Sequence, residues 1–406
     1  MRMRQIPLLA SVALCLQVSC AAIAQEKISD GTVKIGVMND MSGLYSDVTG
    51  RASVIAATMA AEDFMAKEKP KFKVEVLSTD HQNKPDIASA KAREWFDRDK
   101  VDAIVDLPTS SAAIAVVKVA SQKNKITLVS GGGTSSLTNE ECTETNIQWT
   151  YDTYALASGS AKALVKLGGD SWYFLVADYN FGTNMEKDAT NAIKSAGGKV
   201  LGSVRHPFPA SDFSSYMLSA QQSKAKVIGL ANAGSDTQNA IKSAQEYRLT
   251  EKQIVAPLLM FINDVHSLGL KTTQGMYLTD GFYWDLNDET RAWSRRFFER
   301  HKAMPNMIQA GLYSAIMHYL KAVKATGTDE AKVVMAKMKA TPVNDFFAKN
   351  GRIRADGRMV HDMYLMQVKK PEESKSPWDY YHVKQVIPGN DAFQSMENGT
   401  CPLVKK

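Results

Sequence analysis

The stretch Ser130-Gly131-Gly132-Gly133-Thr134 carries the residue types best suited to holding another molecule. It leaves a short apolar run, Ile126-Thr127-Leu128-Val129, that reads as the end of a buried strand. Three successive glycines remove every Cβ, so a ligand can approach the backbone closely while its N–H groups stay free to donate. A plain strand-to-loop turn would use the same residues. Two further strand exits favour binding: Thr109-Ser110, which opens a helix, and Asn180-Phe181, which does the same later in the chain. Ligands of open parallel sheets sit beyond the carboxyl ends of the strands. N–H groups at Gly132, Gly133 and Thr134, and at the helix start after Thr109, suit a carboxylate or an amide. The helix dipole adds about 0.3–1 kcal/mol for an anion.

Signatures of catalysis are scarce. The chain has no HExxH, CxxC, GxxxxGK[ST] or GxSxG, and the dinucleotide fingerprint is replaced after the first strand by Gly36-Val-Met-Asn-Asp. Its seven histidines are scattered, with none spaced as a metal-ligand pair. The carboxylates nearest the strand exits, Asp178, Asp236, Asp264 and Asp280, form no pair suited to acid–base work. The expectation is a binding protein with no cofactor and no metal, and not an enzyme. The net charge of +6 is modest, and no basic stripe with interleaved aromatics points to nucleic acid.

These loops need a scaffold, and the order of elements supplies one. From 33 to 129, β-type apolar runs alternate with helical-period segments, as at Val54, Ala57, Ala61, Phe64 and Met65 on one helical face. A βαβαβαβ run implies a parallel sheet with helices on both faces. The pattern restarts with a helix from Tyr151, a strong strand at 171–177, and further βα units through strands at 227–230, 254–259 and 276–279. The fold class expected is α/β: two doubly wound parallel-sheet lobes. Helices at 288–301 and 309–325 can return to cover the first lobe. Asp356-Gly357 between extended segments is a hairpin signal. At 406 residues, two or three domains are expected.

The N-terminus reads as an export signal. Arg2 and Arg4 precede a mostly apolar run from Leu8 to Val18, and Ala22-Ile23-Ala24 fits signal-peptidase cleavage after Ala24. The run is too short to span a membrane. Cys20 raises lipid anchoring, but Gln17-Val18-Ser19 is a poor lipobox, so soluble export to the periplasm is expected. Cleavage leaves two thiols, Cys142 and Cys401. In an oxidising compartment they most simply form one disulfide, tying the C-terminal tail back to a distant loop, with two free buried thiols as the alternative. Closing so long a loop stabilises by about 4–5 kcal/mol in the chain-entropy model.

With these residues in view, the chain resembles the Leu/Ile/Val-binding family of exported solute receptors for ABC importers. The resemblance covers nearly all of the mature chain and rests on Ile35-Gly-Val-Met-Asn-Asp-Met-Ser-Gly43, Ser130-Gly-Gly-Gly-Thr134, Asp178-Tyr-Asn-Phe-Gly182 and Gly351-Arg-Ile-Arg-Ala-Asp-Gly357. It implies a type I periplasmic binding protein with two lobes joined by three crossovers and closing on a small solute. Its membrane permease, and an ATPase on another chain, would be its partners, and a monomer is expected. On this resemblance lobe one comprises 25–150 and 282–345, lobe two 151–281 and 346–390, and the tail 391–406 ties back to lobe one.

The family's carboxylate site matches Thr109, Gly132 and Thr134, and its lobe-two aromatic matches Phe181, where amino-acid binders usually have Tyr. The acidic residue that receives a ligand ammonium falls at Leu258. A buried ammonium without a carboxylate costs several kcal/mol, so the resemblance points away from ordinary α-amino acids, unless the nearby Asn232 or Asp236 compensates. A carboxylate with an apolar or aromatic body is the expected ligand, with Tyr45, Phe181, Leu258 and Met260 as walls. A branched-chain amino acid or an amide is the alternative ligand, and a ligand-sensing protein or secreted enzyme on the same fold is the alternative class.

Overall fold

The structure, a computed structural model, describes residues 28–405. The signal peptide expected to end at Ala24, and Cys20 within it, lie outside the described residues. The first lobe opens with β1 (Thr32–Asn39), α1 (Gly50–Glu68), β2 (Lys73–Asp80), α2 (Pro85–Asp97), β3 (Ala103–Asp106), α3 (Ser110–Gln122), β4 (Ile126–Val129) and β5 (Asn146–Gln148). These strands form one parallel sheet in the order β2-β1-β3-β4-β5. β3 and β4 are buried along their whole length, because helices cover both faces and leave no solvent side to alternate with.

The second lobe repeats the plan with α4 (Thr153–Lys166), β6 (Ser171–Ala177), α5 (Asn180–Ser195), β7 (Lys199–His206), α6 (Ser214–Gln222), β8 (Val227–Ala231), α7 (Ser235–Glu246), β9 (Ile254–Pro257), α8 (Ile262–Leu268) and α9 (Leu270–Thr273). Its sheet is also parallel, in the order β7-β6-β8-β9. The apolar run expected to continue as strand to Leu259 stops at Pro257. The run at 276–279 becomes β10 (Tyr277–Asp280), which does not extend that parallel sheet.

The chain then returns to the first lobe through α10 (Asp288–His301), α11 (Met307–Thr326) and α12 (Ala331–Ala340). α11 packs along α1. The expected hairpin forms as β11 (Arg352–Ile353) and β12 (Met359–Val360), with Asp356-Gly357 at its turn. It lies against the edge of the first sheet, where the Gln148 N–H donates to the Gly357 carbonyl at 2.9 Å. Phe346 stacks on Trp293 of α10. These contacts hold 342–360 with the first lobe, whereas the sequence assigned 346–390 to the second. The crossing falls after β12, because pairing with β5 satisfies backbone groups that a crossing at 346 would leave bare.

β13 (Met363–Val368) and β14 (Tyr381–Ile387) complete an antiparallel sheet, β10-β13-β14, and α13 (Gly389–Ala392) leads into the tail. Three passages therefore join the lobes: β5 to α4, β10 to α10 and β12 to β13. Arg358, fully buried, sits where two of them meet. Its guanidinium donates to the Tyr151 and Met359 carbonyls at 3.0 Å each, and lies 3.5 Å from the Asp152 carboxylate. Phe393 of the tail covers it. A disulfide joins Cys142 to Cys401, with Cα atoms 5.7 Å apart.

Candidate ligand-binding site between the lobes

The loop after β1 is shaped by one carboxylate. Asp40 Oδ1 accepts the Gly43 N–H at 2.7 Å, and Oδ2 accepts the Tyr45 N–H at 2.8 Å and the Asn83 amide at 2.5 Å. The loop is thereby curled so that Tyr45, 5 % exposed, projects toward the second lobe. There its hydroxyl hydrogen-bonds that of Tyr179, from the loop after β6. Burial pushes both phenols above their ordinary pKa, so each stays protonated and able to donate.

The glycine triplet lies opposite. Ser130 and Gly131 donate their N–H groups to the Asp106 carbonyl, and the Thr134 N–H goes to Ser110 Oγ at 3.2 Å. The Gly131 and Gly132 carbonyls accept from the Tyr151 hydroxyl at 2.5 Å and the Gln148 amide at 2.8 Å. Among the described residues, the N–H groups of Gly132 and Gly133 have no acceptor. At Gly133 a Cβ would stand 2.8 Å from the Tyr151 ring and 2.9 Å from Phe181. The missing side chain is what lets the second lobe's aromatic reach the first lobe's backbone.

From the second lobe come Tyr179 and Phe181 after β6, Ala233 after β8, and Leu259 and Phe261 after β9. Phe181 can begin α5 only because Gly182 follows, since a Cβ there would lie 2.0 Å from the Ala177 carbonyl oxygen. Tyr179 stacks on Phe208, with ring centroids 4.0 Å apart. Together with Tyr45, Val48, Pro108, Gly131, Tyr151 and Ile308, these five residues wall an interlobe cavity of about 10 Å³. That is room for roughly one water molecule. Most of its walls come from the carboxyl ends of strands, where doubly wound sheets place ligands, and no charged side chain is among them. Since the cavity is smaller than any organic acid, the lobes must part to admit one.

Outside the Tyr45–Tyr179 pair lies a larger polar cleft of about 780 Å³, lined from both lobes by residues including Ser46, Asp47, Ser235, Asp236, Asn263 and Lys302. Ser235 donates its N–H to the Leu44 carbonyl across it at 3.3 Å. Asp236 is 1 % exposed, and burial pushes its carboxyl up to about 7, only partly offset by the Ala210 N–H.

The expected site residues divide into groups. Tyr45 and Phe181 line the interlobe cavity, and Gly133 touches its Tyr151 and Phe181 walls. Thr109, Ser110 and Thr134 are fully buried and committed to each other's loops. Thr109 stands at the N-cap of α3 but gives its hydroxyl to Asn83 instead of capping. The Thr134 N–H, expected free, is taken by Ser110. Asn180 is exposed, with its carbonyl accepting from Asn184, and does not reach the cavity. Asn232 is spent on His206 at 3.1 Å and Thr237 at 2.8 Å. Leu258 and Met260 pack into hydrophobic cores, and the neighbouring Leu259 and Phe261 face the cavity instead. Sequence reasoning missed Tyr179, Tyr151, Pro108 and Ile308. Tyr179 and Pro108 were detectable as residues of strand-exit loops, whereas Tyr151 and Ile308 come from a crossover and a returning helix.

Two doubly wound lobes with a cavity between their strand ends define a type I binding-protein fold. The chain belongs to the periplasmic binding protein family, whose model matches residues 32–375. A crystal structure of a periplasmic binding protein from Burkholderia mallei is 51% identical, covers 92% of this chain and 100% of its own, and has a TM-score of 0.90. A branched chain amino acid ABC transporter periplasmic ligand-binding protein from Burkholderia xenovorans is 36% identical, with coverages of 91% and 99% and a TM-score of 0.81. The Leu/Ile/Val-binding protein homolog 6 of Brucella melitensis is 25% identical over 84% of this chain and 88% of its own length. Membership implies a periplasmic location. Proteins of this kind bind small molecules and work with the membrane permeases of ABC transporters.

Proposed function

We propose that this protein is an exported receptor that captures a small carboxylate with an apolar or aromatic body and presents it to an ABC-importer permease. One observation carries the reading. The interlobe cavity is walled by aromatic and aliphatic side chains with no charge, and next to its Gly131 wall the N–H groups of Gly132 and Gly133 lack an acceptor among the described residues. Such a site pairs an anion's head with backbone donors and its body with rings, and leaves no charge uncompensated.

The mechanism is capture. The solute meets the first lobe at Gly132 and Gly133, the second lobe swings in through Phe181 and Tyr179, and the Tyr45–Tyr179 bond forms beside it. Closure is a population shift driven by contacts made only in the closed form. The closed receptor, a monomer freed of its signal peptide after Ala24, docks on the permease.

A branched-chain amino acid is the second reading, favoured by the Burkholderia xenovorans relative. A thermal-shift screen of aromatic acids, branched oxo-acids, amides and amino acids, followed by calorimetry on the hits, separates the two. Stabilisation by leucine or valine, but by no oxo-acid or aromatic acid, would overturn the first reading. Recovery of the ligand unchanged after incubation distinguishes capture from turnover.

A further inference from the structure

We infer that Asp236 is a specificity-determining residue that receives a hydrogen-bond donor, O–H or N–H, carried by the ligand at the end away from its carboxylate. The inference rests on the carboxylate reading above and adds a second polar anchor to it.

Asp236 is buried in the first turn of α7, where a carboxylate ordinarily accepts N–H groups of its own helix. Here Oδ1 accepts instead from Ala210, in a separate loop, at 3.1 Å. Oδ2 is buried and has no protein donor, and it is the only carboxylate oxygen so placed among the described residues. The other buried acids near the cleft are spent. Asp264 accepts from Gln238 at 2.7 Å and the Phe261 N–H at 2.8 Å, and Asp106 accepts from Asn39 and Ser130. Asn232, the other polar residue near this position, is consumed by His206 and Thr237.

Position fits the role. Asp236 lies three residues from Ala233, a wall of the interlobe cavity, and itself lines the polar cleft beyond the Tyr45–Tyr179 pair. Its charge is close enough to both phenols to raise their pKa further. The glycine amides stand on the first lobe and Asp236 on the second, so a ligand with an acid at one end and a donor at the other touches both. An unpaired buried acceptor also discriminates strongly, because a ligand lacking the donor leaves it unpaired on closure.

The test uses two matched pairs of probes on the full mature protein: benzoate with 4-hydroxybenzoate, and pentanoate with 5-aminopentanoate, whose ammonium stands at the end away from the carboxylate. Calorimetry gives the affinity ratio within each pair. In at least one pair the donor-bearing member should bind about tenfold or more tighter, and that pair identifies the donor as hydroxyl or ammonium. The ratio should collapse to within about threefold in Asp236→Ala and in Asp236→Asn. The second variant keeps the shape and places an N–H where an acceptor stood, and thermal melts verify that both fold. Equal affinities within both pairs, or a ratio unmoved by either substitution, overturns the inference while leaving the carboxylate reading intact. Binding of none of the four acids overturns both.

Discussion

The hydroxyl of Tyr45, on the loop after β1, is hydrogen-bonded to that of Tyr179, on the loop after β6, so a single bond spans the two lobes over the interlobe cavity. Replacing Tyr45 with Phe removes it from the closed form alone. A net hydrogen bond contributes about 0.5–1.5 kcal/mol, so ligand affinity should fall by about 2- to 12-fold, mostly as faster dissociation in stopped-flow. The Tyr45→Phe/Tyr179→Phe pair should cost less than the sum of the single changes, since each alone strands a buried hydroxyl.

Gly133→Ala should act on closure. Its Cβ would meet Tyr151 at 2.8 Å and Phe181 at 2.9 Å, and Phe181 belongs to the other lobe. Overpacking of about 1–3 kcal/mol should weaken binding by about 5- to 150-fold. Gly131→Ala is the contrast: its Cβ would meet Pro108 at 2.8 Å within the first lobe, so it should lower the melting temperature more than the affinity. Equal effects of the two changes on affinity would contradict this assignment.

Arg358→Met should destabilise the junction of the crossovers. Asp152 is buried with its carboxyl raised by desolvation, and Arg358 offsets that cost. Losing one partner of a buried pair costs about 3–5 kcal/mol. Calorimetric melting should therefore drop for Arg358→Met and recover in part when Asp152→Asn is added.

Stability of the ligand-free protein should fall as pH rises from about 6.5 to 8. Burial raises Asp236 and Asp264 to about 7 and Asp280 to about 8. Their folded pKa values lie above the unfolded one, so the stability they contribute is whole below the unfolded pKa and is lost through the folded pKa. Each fully retained proton makes unfolding easier by about 1.4 kcal/mol per pH unit. His81 and His361, pushed down to about 4 by burial, act in the opposite sense but only below their ordinary value of 6.5. Melting temperatures that climb between pH 6.5 and 8 would contradict this.

Much of the fold was legible because it is written in local pattern. The βα alternation, the Asp356-Gly357 hairpin and the even pair Cys142 and Cys401 each declare themselves within short stretches or by simple count. The candidate site was half legible. Strand exits led to Tyr45, Phe181 and the glycine triplet, since in a doubly wound sheet those loops all open on one edge. Which side chain of an exit faces the cavity was not legible. Leu258 and Leu259 are adjacent and equally apolar, and Asn180 sits one residue from both Tyr179 and Phe181.

The sequence by itself determined the two-lobed α/β architecture, the glycine triplet at a strand exit and the absence of familiar catalytic motifs, because these depend on residue type and short-range spacing. Only the tertiary structure decided that Thr109, Ser110 and Thr134 bond to neighbouring loops, that Tyr45 meets Tyr179, and that 342–360 stays with the first lobe. It alone left one oxygen of Asp236 without a partner among the described residues. Hydrogen bonds between loops far apart in the chain have no periodicity to betray them. Whether a polar group is free or spent is settled only when distant segments are packed together.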